Sequence, residues 1–232
     1  MIARAFTRSL LKPQQLTTSS VLGLSRSFAA MTFDKVKILH YNEMNSFDYT
    51  DTANAVIFST TSERLADIIR VAHPAFTDLL LAYGLKNLAE YKVPLDSHFY
   101  DVTLPFATAY VKNFTRDHSI AFAEVLIHIG NLGVTEDSFW NTAIEGLVKG
   151  RMYRYVPVHY LGDLVLSMAK VGKADSKILH LLGSQVIKHK GALSAEQTNK
   201  ALDGFALTKF GSEILKEALD SDNQDTLQLK LN

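Results

Sequence analysis

The sequence predicts an all-α fold, specifically an α-solenoid of about four helical hairpins with an extended N-terminal arm. From residue 60 onward, apolar residues recur at the i, i+3, i+4 and i+7 spacing of one helix face. An Asp-Ser pair occurs at 96–97 and recurs at 137–138 and 175–176, after 41 and then 38 residues. A two-helix unit that repeats about every 40 residues is typical of a solenoid, in which each unit buries its apolar face against its neighbours.

The first hairpin is predicted to begin near residue 61. A polar segment at 60–63 can cap a helix, and Pro74 ends that helix and can open the next one. The apolar positions at helical spacing are Leu65, Ile68, Ile69 and Ala72 in the first helix, and Phe76, Leu79, Leu80, Tyr83 and Leu88 in the second.

The later hairpins are predicted to begin near residues 96, 137 and 175, because Asp and Ser oxygens accept the orphan N–H groups of a helix start. Their second helices are expected at about 119–132, 157–171 and 194–210. A glycine follows or ends each of them, where a left-handed residue costs least: Gly133, Gly172 and Gly211. A further helix at 212–219 completes the helical-repeat domain, 59–219.

Two segments flank this domain. Residues 29–58 are predicted to form an extended arm, because 42–55 is dense in Asn, Asp, Ser and Thr, which favour turns and caps. Val36–Leu39 and Val56–Phe58 are short apolar segments for docking. Residues 220–232 are predicted to be a flexible acidic tail.

Residues 1–28 are predicted to be a mitochondrial targeting peptide. The first 30 residues contain four basic residues and no Asp or Glu, and they are rich in Ser, Thr, Ala and Leu. If the first twelve residues form a helix, the apolar and basic side chains separate onto different sides. Arg26–Ala30 resembles a matrix-protease site with cleavage after Phe28. We therefore expect the protein in the mitochondrion, in the matrix or on the matrix side of the inner membrane.

Composition limits the function further. The leader holds four of the 24 basic residues and none of the 24 acidic ones, so the remainder carries a net charge of −4. A mildly acidic folded part disfavours nucleic-acid binding, which depends on cancelling phosphate charge. The chain has no Cys, which excludes disulfides, thiolate metal sites and cysteine nucleophiles. No apolar run reaches the length that spans a bilayer, so we expect no transmembrane segment.

We expect no enzymatic activity, no cofactor and no metal site. His118 and His128 lie ten residues apart, and His180 and His189 nine, so neither pair has the i, i+4 spacing of a helical zinc site. The sequence contains no G-x-S-x-G motif with both glycines and no phosphate-binding glycine loop.

The stretch 137–210 resembles the helical-hairpin repeats of the FAST-kinase-like and RAP-domain organellar proteins. The shared features are an aromatic pair after a polar cap, Leu and Ala pairs, and a Leu-Ser helix start. In this chain they are Phe139-Trp140, Leu164-Val165, Met168-Ala169, Leu193-Ser194, Ala201-Leu202 and Phe205-Ala206. The resemblance implies a mitochondrial helical-repeat protein of a family associated with RNA. No fixed pattern of base-reading residues transfers from that family.

A basic cluster with interleaved tyrosines is the best indication of RNA binding, since aromatic side chains beside cations can stack on bases. An alternative explanation is that these lysines and arginines lie near helix C-termini, where the helix dipole favours cations, and that the tyrosines fill the joint between repeats. The candidate contact residues for RNA or a protein partner are Arg151, Tyr153, Arg154, Tyr155, Lys188 and Lys190.

The leading functional prediction is a non-catalytic helical scaffold. We expect an accessory subunit that contacts protein subunits of a large mitochondrial assembly, namely a respiratory complex, ATP synthase or the mitochondrial ribosome. The alternative is a mitochondrial RNA-binding helical-repeat protein.

Overall fold

A computed structural model of the chain describes residues 46–73, 76–221, 227 and 231. These residues form ten α-helices and no β-strand, so the predicted all-α fold is confirmed. The helices are α1 (Ser46–Ile57), α2 (Ser62–Ala72), α3 (Asp78–Glu90), α4 (Leu104–Asn113), α5 (Ser119–Asn131), α6 (Asp137–Val148), α7 (Leu161–Lys170), α8 (Ser176–Lys188), α9 (Ala195–Ala206) and α10 (Glu213–Ser221).

The helices alternate between two layers. In one layer, α1 contacts α3, α3 contacts α5, α5 contacts α7 and α7 contacts α9. In the other, α2 contacts the π-helical turn Phe99–Thr103 that leads into α4, α4 contacts α6, and α8 contacts α10. The 3₁₀ turn Met152–Arg154 connects α6 with α8. In the first layer each helix therefore packs directly beside the helix two positions along, whereas short helical turns complete the contacts of the second layer.

The predicted helix starts coincide with observed ones, but the Asp side chains do not all act as caps. Asp175 accepts a hydrogen bond from the Ile178 N–H at 2.8 Å, as a capping residue should. Asp137 instead lies within the first turn of α6, and its carboxylate contacts Lys173 Nζ at 2.6 Å. This second Asp-Ser pair therefore marks a helix start without capping it, since Glu136 precedes it at the cap position.

The predicted glycine positions at the helix ends are confirmed. Gly133, Gly172 and Gly211 have φ values of 75°, 71° and 74°, in the left-handed region that a side chain would strain. Each glycine therefore lets the chain leave its helix and turn into the next hairpin.

Aromatic side chains fill the core between the two layers. Trp140 is fully buried, and its indole N–H donates to the Val134 carbonyl at 2.8 Å. The single tryptophan therefore faces inward. Earlier in the chain, the rings of Phe76 and Phe106 meet edge to face at 5.4 Å between centroids. This is a favourable aromatic geometry.

The prediction of an extended arm is wrong for residues 46–57, which form α1 and pack on α3. The turn-favouring Asp51 and Asn54 are exposed, whereas Val56 is fully buried. The amide of Asn87 on α3 donates to the carbonyls of Val56 and Ile57, both at 3.1 Å. These tertiary hydrogen bonds add to the local bonds from Ser59 to the Val56 carbonyl, and they join the C-terminal end of α1 to α3. Residues 29–45, and the predicted leader 1–28, lie outside the described residues.

Replacement of Asn87 by alanine is expected to loosen α1. The Ile57 carbonyl would lose the Asn87 donor, and the Val56 carbonyl would keep only its bonds from Ser59, at a cost of about 1–3 kcal/mol. Hydrogen exchange should become faster in α1, while exchange in α7 stays unchanged. Asn131→Ala, at an exposed position at the end of α5, is the matched control. Unchanged exchange in α1 would show that this amide does not hold the helix.

The prediction of a flexible tail is wrong at two positions. Leu227 and Leu231 are helical and buried, at 0% and 4% exposure. A Cβ added at Gly183 on α8 would lie 2.7 Å from Leu227 Cδ2, so this leucine lies directly against α8. The remaining residues beyond Ser221 lie outside the described part of the chain.

Candidate functional site

The segment that joins α6 to α7 carries most of the predicted contact residues. Arg151 adopts a left-handed conformation with φ of 56° and is exposed. Met152 and Val156 are buried, at 4% and 7% exposure, and anchor the segment in the core. The anchors hold the intervening Tyr153 and Arg154 at the surface, beside α8.

Tyr153 and Arg154 form one wall of a polar depression, and α8 forms the other. We call it the α8 depression; its volume is about 400 Å³. It is lined by Tyr153, Arg154, His180, Leu181, Ser184, Gln185 and Lys188. His180, Ser184 and Lys188 follow one another at i, i+4 and i+8, so they share one face of α8.

Internal contacts orient the arginine in this depression. The Arg154 Nε–H donates to the Tyr153 hydroxyl at 3.0 Å, and the guanidinium carbon lies 5.6 Å from the centroid of the same ring. Both contacts reduce the number of conformations that the exposed side chain can adopt. The guanidinium therefore presents its terminal nitrogens in a defined orientation.

The structure does not bring all six predicted contact residues together. Tyr155 lies against Arg116, whose guanidinium carbon is 4.9 Å from the ring centroid. Lys190 lines a different groove, between α8, α9 and α10, and donates to the Leu219 carbonyl at 3.3 Å. Only Tyr153, Arg154 and Lys188 share the α8 depression.

Two further lysines in the same stretch of sequence have acidic partners. Lys149 contacts Glu145 at 2.8 Å, four residues earlier on α6. Lys173 contacts Asp137 at 2.6 Å and joins the turn after α7 to the start of α6. Part of the positive charge in this stretch is therefore neutralised by carboxylates in the fold.

Sequence reasoning missed a second polar group, which crosses α7 and α9. The Gln197 amide donates to Asp163 at 2.6 Å, and its carbonyl accepts from the Gly162 and Asp163 N–H groups at 3.0 and 3.2 Å. Lys200 contacts Asp163 at 2.8 Å. Gln197 thus caps the first turn of α7 from the neighbouring helix, a role that only the packing of α7 on α9 reveals.

Beside this polar group, Tyr160 contacts α5, and the pKa values of Tyr160 and Lys200 are both raised. The Tyr160 hydroxyl donates to Glu124, and burial followed by this hydrogen bond raises the pKa of Tyr160 to about 12. Hydrogen bonds from Lys200 to Asp163 and Glu196 raise the pKa of that lysine. Both side chains therefore keep their protons near neutral pH, and their hydrogen bonds join neighbouring helices.

His128 on α5 makes the stability pH-dependent. Burial lowers the pKa of His128 to about 4; Lys86 adds to this effect, and Glu90 and Asp163 oppose it. The unfolded chain, with a histidine pKa of about 6.5, binds a proton before the folded protein does. The free energy of unfolding should therefore fall by roughly 1–3 kcal/mol as the pH drops from about 6.5 to about 4.

His128→Gln should flatten this part of the stability profile, measured by urea denaturation at several pH values. His159→Gln is the matched control, because His159 is exposed. A profile for His128→Gln with the wild-type slope would contradict the assignment.

Within the described residues, no group of three or more His, Asp or Glu side chains is placed to hold a metal ion. In the same part of the chain, no helix has both the length and the apolar character needed to cross a membrane.

Comparison with protein families finds none that matches this chain, and comparison with curated proteins finds no match either. The resemblance to FAST-kinase-like and RAP-domain proteins therefore stays a prediction from the residues alone.

Proposed function

We propose that the protein is a non-catalytic helical scaffold that acts as an accessory subunit of a large mitochondrial assembly. The candidate assemblies are a respiratory complex, ATP synthase and the mitochondrial ribosome. The observation that carries the proposal is an exposed apolar surface at the N-terminal end of the helix stack. We call it the N-terminal end surface; its residues are Ile57, Phe58, Tyr83 and Tyr91.

The junction between α1 and α3 places these side chains near one another. Asn87 binds the carbonyls of Ile57 and Ser59, on either side of Phe58. Tyr83 lies one turn before Asn87 on α3, and Tyr91 directly follows α3, one turn after Asn87. Asn87 therefore joins the chain around Phe58 to the part of the fold that carries both tyrosines.

These side chains are more exposed than their apolar character favours. Phe58 is 77% exposed, Tyr91 64%, Tyr83 43% and Ile57 42%. Contiguous exposed apolar surface is typical of protein interaction sites, where aromatic residues contribute much of the binding energy. The charged pair beside Tyr83, Lys86 with Glu90, neutralises itself at 3.6 Å. A nearly neutral apolar surface favours a protein partner over a nucleic acid.

The mitochondrial part of the proposal is supported by the leader sequence. Its four basic residues and its lack of acidic residues suit import into the matrix. Stacked helical hairpins also provide long surfaces on which several subunits can assemble.

The test is fractionation of gently solubilised mitochondria that contain the tagged full chain. We expect the wild-type protein in a particle much larger than the chain itself, and the Phe58→Ser/Tyr91→Ser variant in the fraction of free protein. Leu207→Ser is the matched control, because Leu207 is 58% exposed but lies after α9, far along the chain from this surface. Wild-type protein that runs free, or that is absent from mitochondria, would contradict the proposal.

RNA binding is the second candidate function. The observation in its favour is that Tyr153, Arg154 and Lys188 lie together at the α8 depression. Affinity for single-stranded RNA that falls steeply with salt would support it. Absence of binding at moderate salt would exclude it.

A further inference from the structure

The α8 depression contains hydrogen-bond donors and cations in excess of acceptors. Arg154 and Lys188 supply two positive charges, and His180, Ser184 and Gln185 add polar groups that can donate. No carboxylate belongs to the lining. A concave surface with this composition is complementary to an anion.

Neither cation is neutralised by the described part of the chain. Among the described residues, Arg154 has contacts only with Tyr153, and Lys188 forms no ion pair. This distinguishes them from Lys149 and Lys173, which have carboxylate partners at 2.8 and 2.6 Å. Both Arg154 and Lys188 face the same depression.

Arg154 is also oriented before any ligand arrives. Its Nε–H is engaged by the Tyr153 hydroxyl at 3.0 Å, so the two terminal nitrogens remain as the donors for a ligand. Two N–H groups in the plane of a guanidinium match two oxygens of a phosphate. Since the side chain is already held, less conformational entropy is lost on binding.

His180 provides an independent observation. Its Nδ1 is buried, and no described residue forms a hydrogen bond with it. Buried polar atoms are nearly always hydrogen-bonded, so such an atom calls for an explanation. The same imidazole belongs to the lining of the depression.

We propose that the α8 depression binds one phosphoryl group, as inorganic phosphate or as the phosphate monoester of a small molecule. The volume of about 400 Å³ is in the range of small-ligand sites. Arg154 and Lys188 bind the phosphate oxygens from the two walls, and His180 with Ser184 lines the floor. This binding site does not depend on the scaffold function, because it lies on α8 and not on the N-terminal end surface.

A single phosphoryl group fits the surface better than an RNA strand does. RNA-binding surfaces combine a continuous basic groove with several stacking aromatic rings. Here the Tyr155 ring packs against the Arg116 guanidinium, and Lys190 faces another groove. The cations thus form one local site and no continuous track.

The test is calorimetric titration of the full chain in phosphate-free and sulfate-free buffer. The probes are inorganic phosphate, AMP and a single-stranded RNA oligonucleotide. We expect saturable binding of phosphate with a Kd on the order of 1 mM. Arg154→Gln and Lys188→Gln should each weaken it by about tenfold, because each removes a charge-assisted contact. Lys190→Gln is the matched control, since Lys190 is two residues away but outside the depression.

Each outcome decides the proposal. Binding of phosphate and AMP with equal affinity identifies the phosphoryl group as the whole ligand, and tighter binding of AMP identifies a monoester; both support the site. Phosphate binding that does not saturate, or that is unchanged in Arg154→Gln and Lys188→Gln, overturns it. RNA binding that inorganic phosphate does not displace overturns it in favour of an RNA interface.

Discussion

Gly162→Ala is expected to lower the free energy of unfolding by about 3 kcal/mol, because α7 and α9 touch at this glycine. A Cβ on Gly162 would lie 2.1 Å from the backbone oxygen of Gln197 and 2.8 Å from its carbonyl carbon. Neither atom belongs to a flexible side chain, so the helices would have to separate. Separation would also weaken the hydrogen bonds that Gln197 accepts from Gly162 and Asp163.

Urea denaturation followed by circular dichroism measures this effect. Gly191→Ala is the matched control, because an added Cβ there has no neighbour within 4 Å and should change stability by less than about 0.5 kcal/mol. Equal stability of the two variants would show that α7 and α9 are not closely packed.

The same close packing recurs along this layer. A Cβ on Gly204 of α9 would lie 2.9 Å from the Leu166 backbone nitrogen, and one on Gly130 of α5 would lie 2.8 Å from the Ser167 oxygen. Three glycines thus allow α5, α7 and α9 to approach backbone to backbone. The order of helices in this layer depends on these small residues as well as on apolar burial.

Trp140→Ala is expected to lower the free energy of unfolding by about 3–5 kcal/mol, the usual cost of removing a large buried aromatic side chain. Trp140 is fully buried, and its indole N–H satisfies the Val134 carbonyl at 2.8 Å. The alanine variant would leave a cavity at the start of α6 and a buried carbonyl without a donor.

Trp140→Phe separates the two effects. Phenylalanine fills much of the space but cannot donate a hydrogen bond, so we expect a smaller loss of about 1–3 kcal/mol. Because Trp140 is the only tryptophan, unfolding is followed by circular dichroism and not by fluorescence. A loss below about 1 kcal/mol for Trp140→Ala would contradict its role in the core.

Local signals were sufficient to predict the helical hairpins. The polar residues before α2 and α8, and the glycines at 133, 172 and 211, act within one turn of the chain. Their effect therefore depends little on distant residues. The predicted starts near 61, 137 and 175 match α2, α6 and α8, and the start near 96 matches the helical residues that lead into α4. The composition of 46–55 misled because turn-favouring residues also tolerate an exposed helix face when Asn87 binds the carbonyls at the end of that helix.

The candidate sites were predicted less well, because they join residues that are far apart in the chain. Tyr153, Arg154 and Lys188 were predicted, but His180 and Ser184 emerge only from the packing of the turn 152–154 on α8. Glu124 and Tyr160 lie 36 residues apart, and Gly162 and Gln197 lie 35 apart. No local spacing rule connects such pairs.

The amino-acid order alone specified the all-α class and several helix ends, since backbone hydrogen bonding, capping and glycine conformations are local properties. The folded chain specified which charges are neutralised, which carbonyls find a distant donor and where apolar side chains remain exposed. These properties depend on the distances between helices that are far apart in the chain. The local spacing of residues contains no information about such distances. The α8 depression and the N-terminal end surface both belong to this second group.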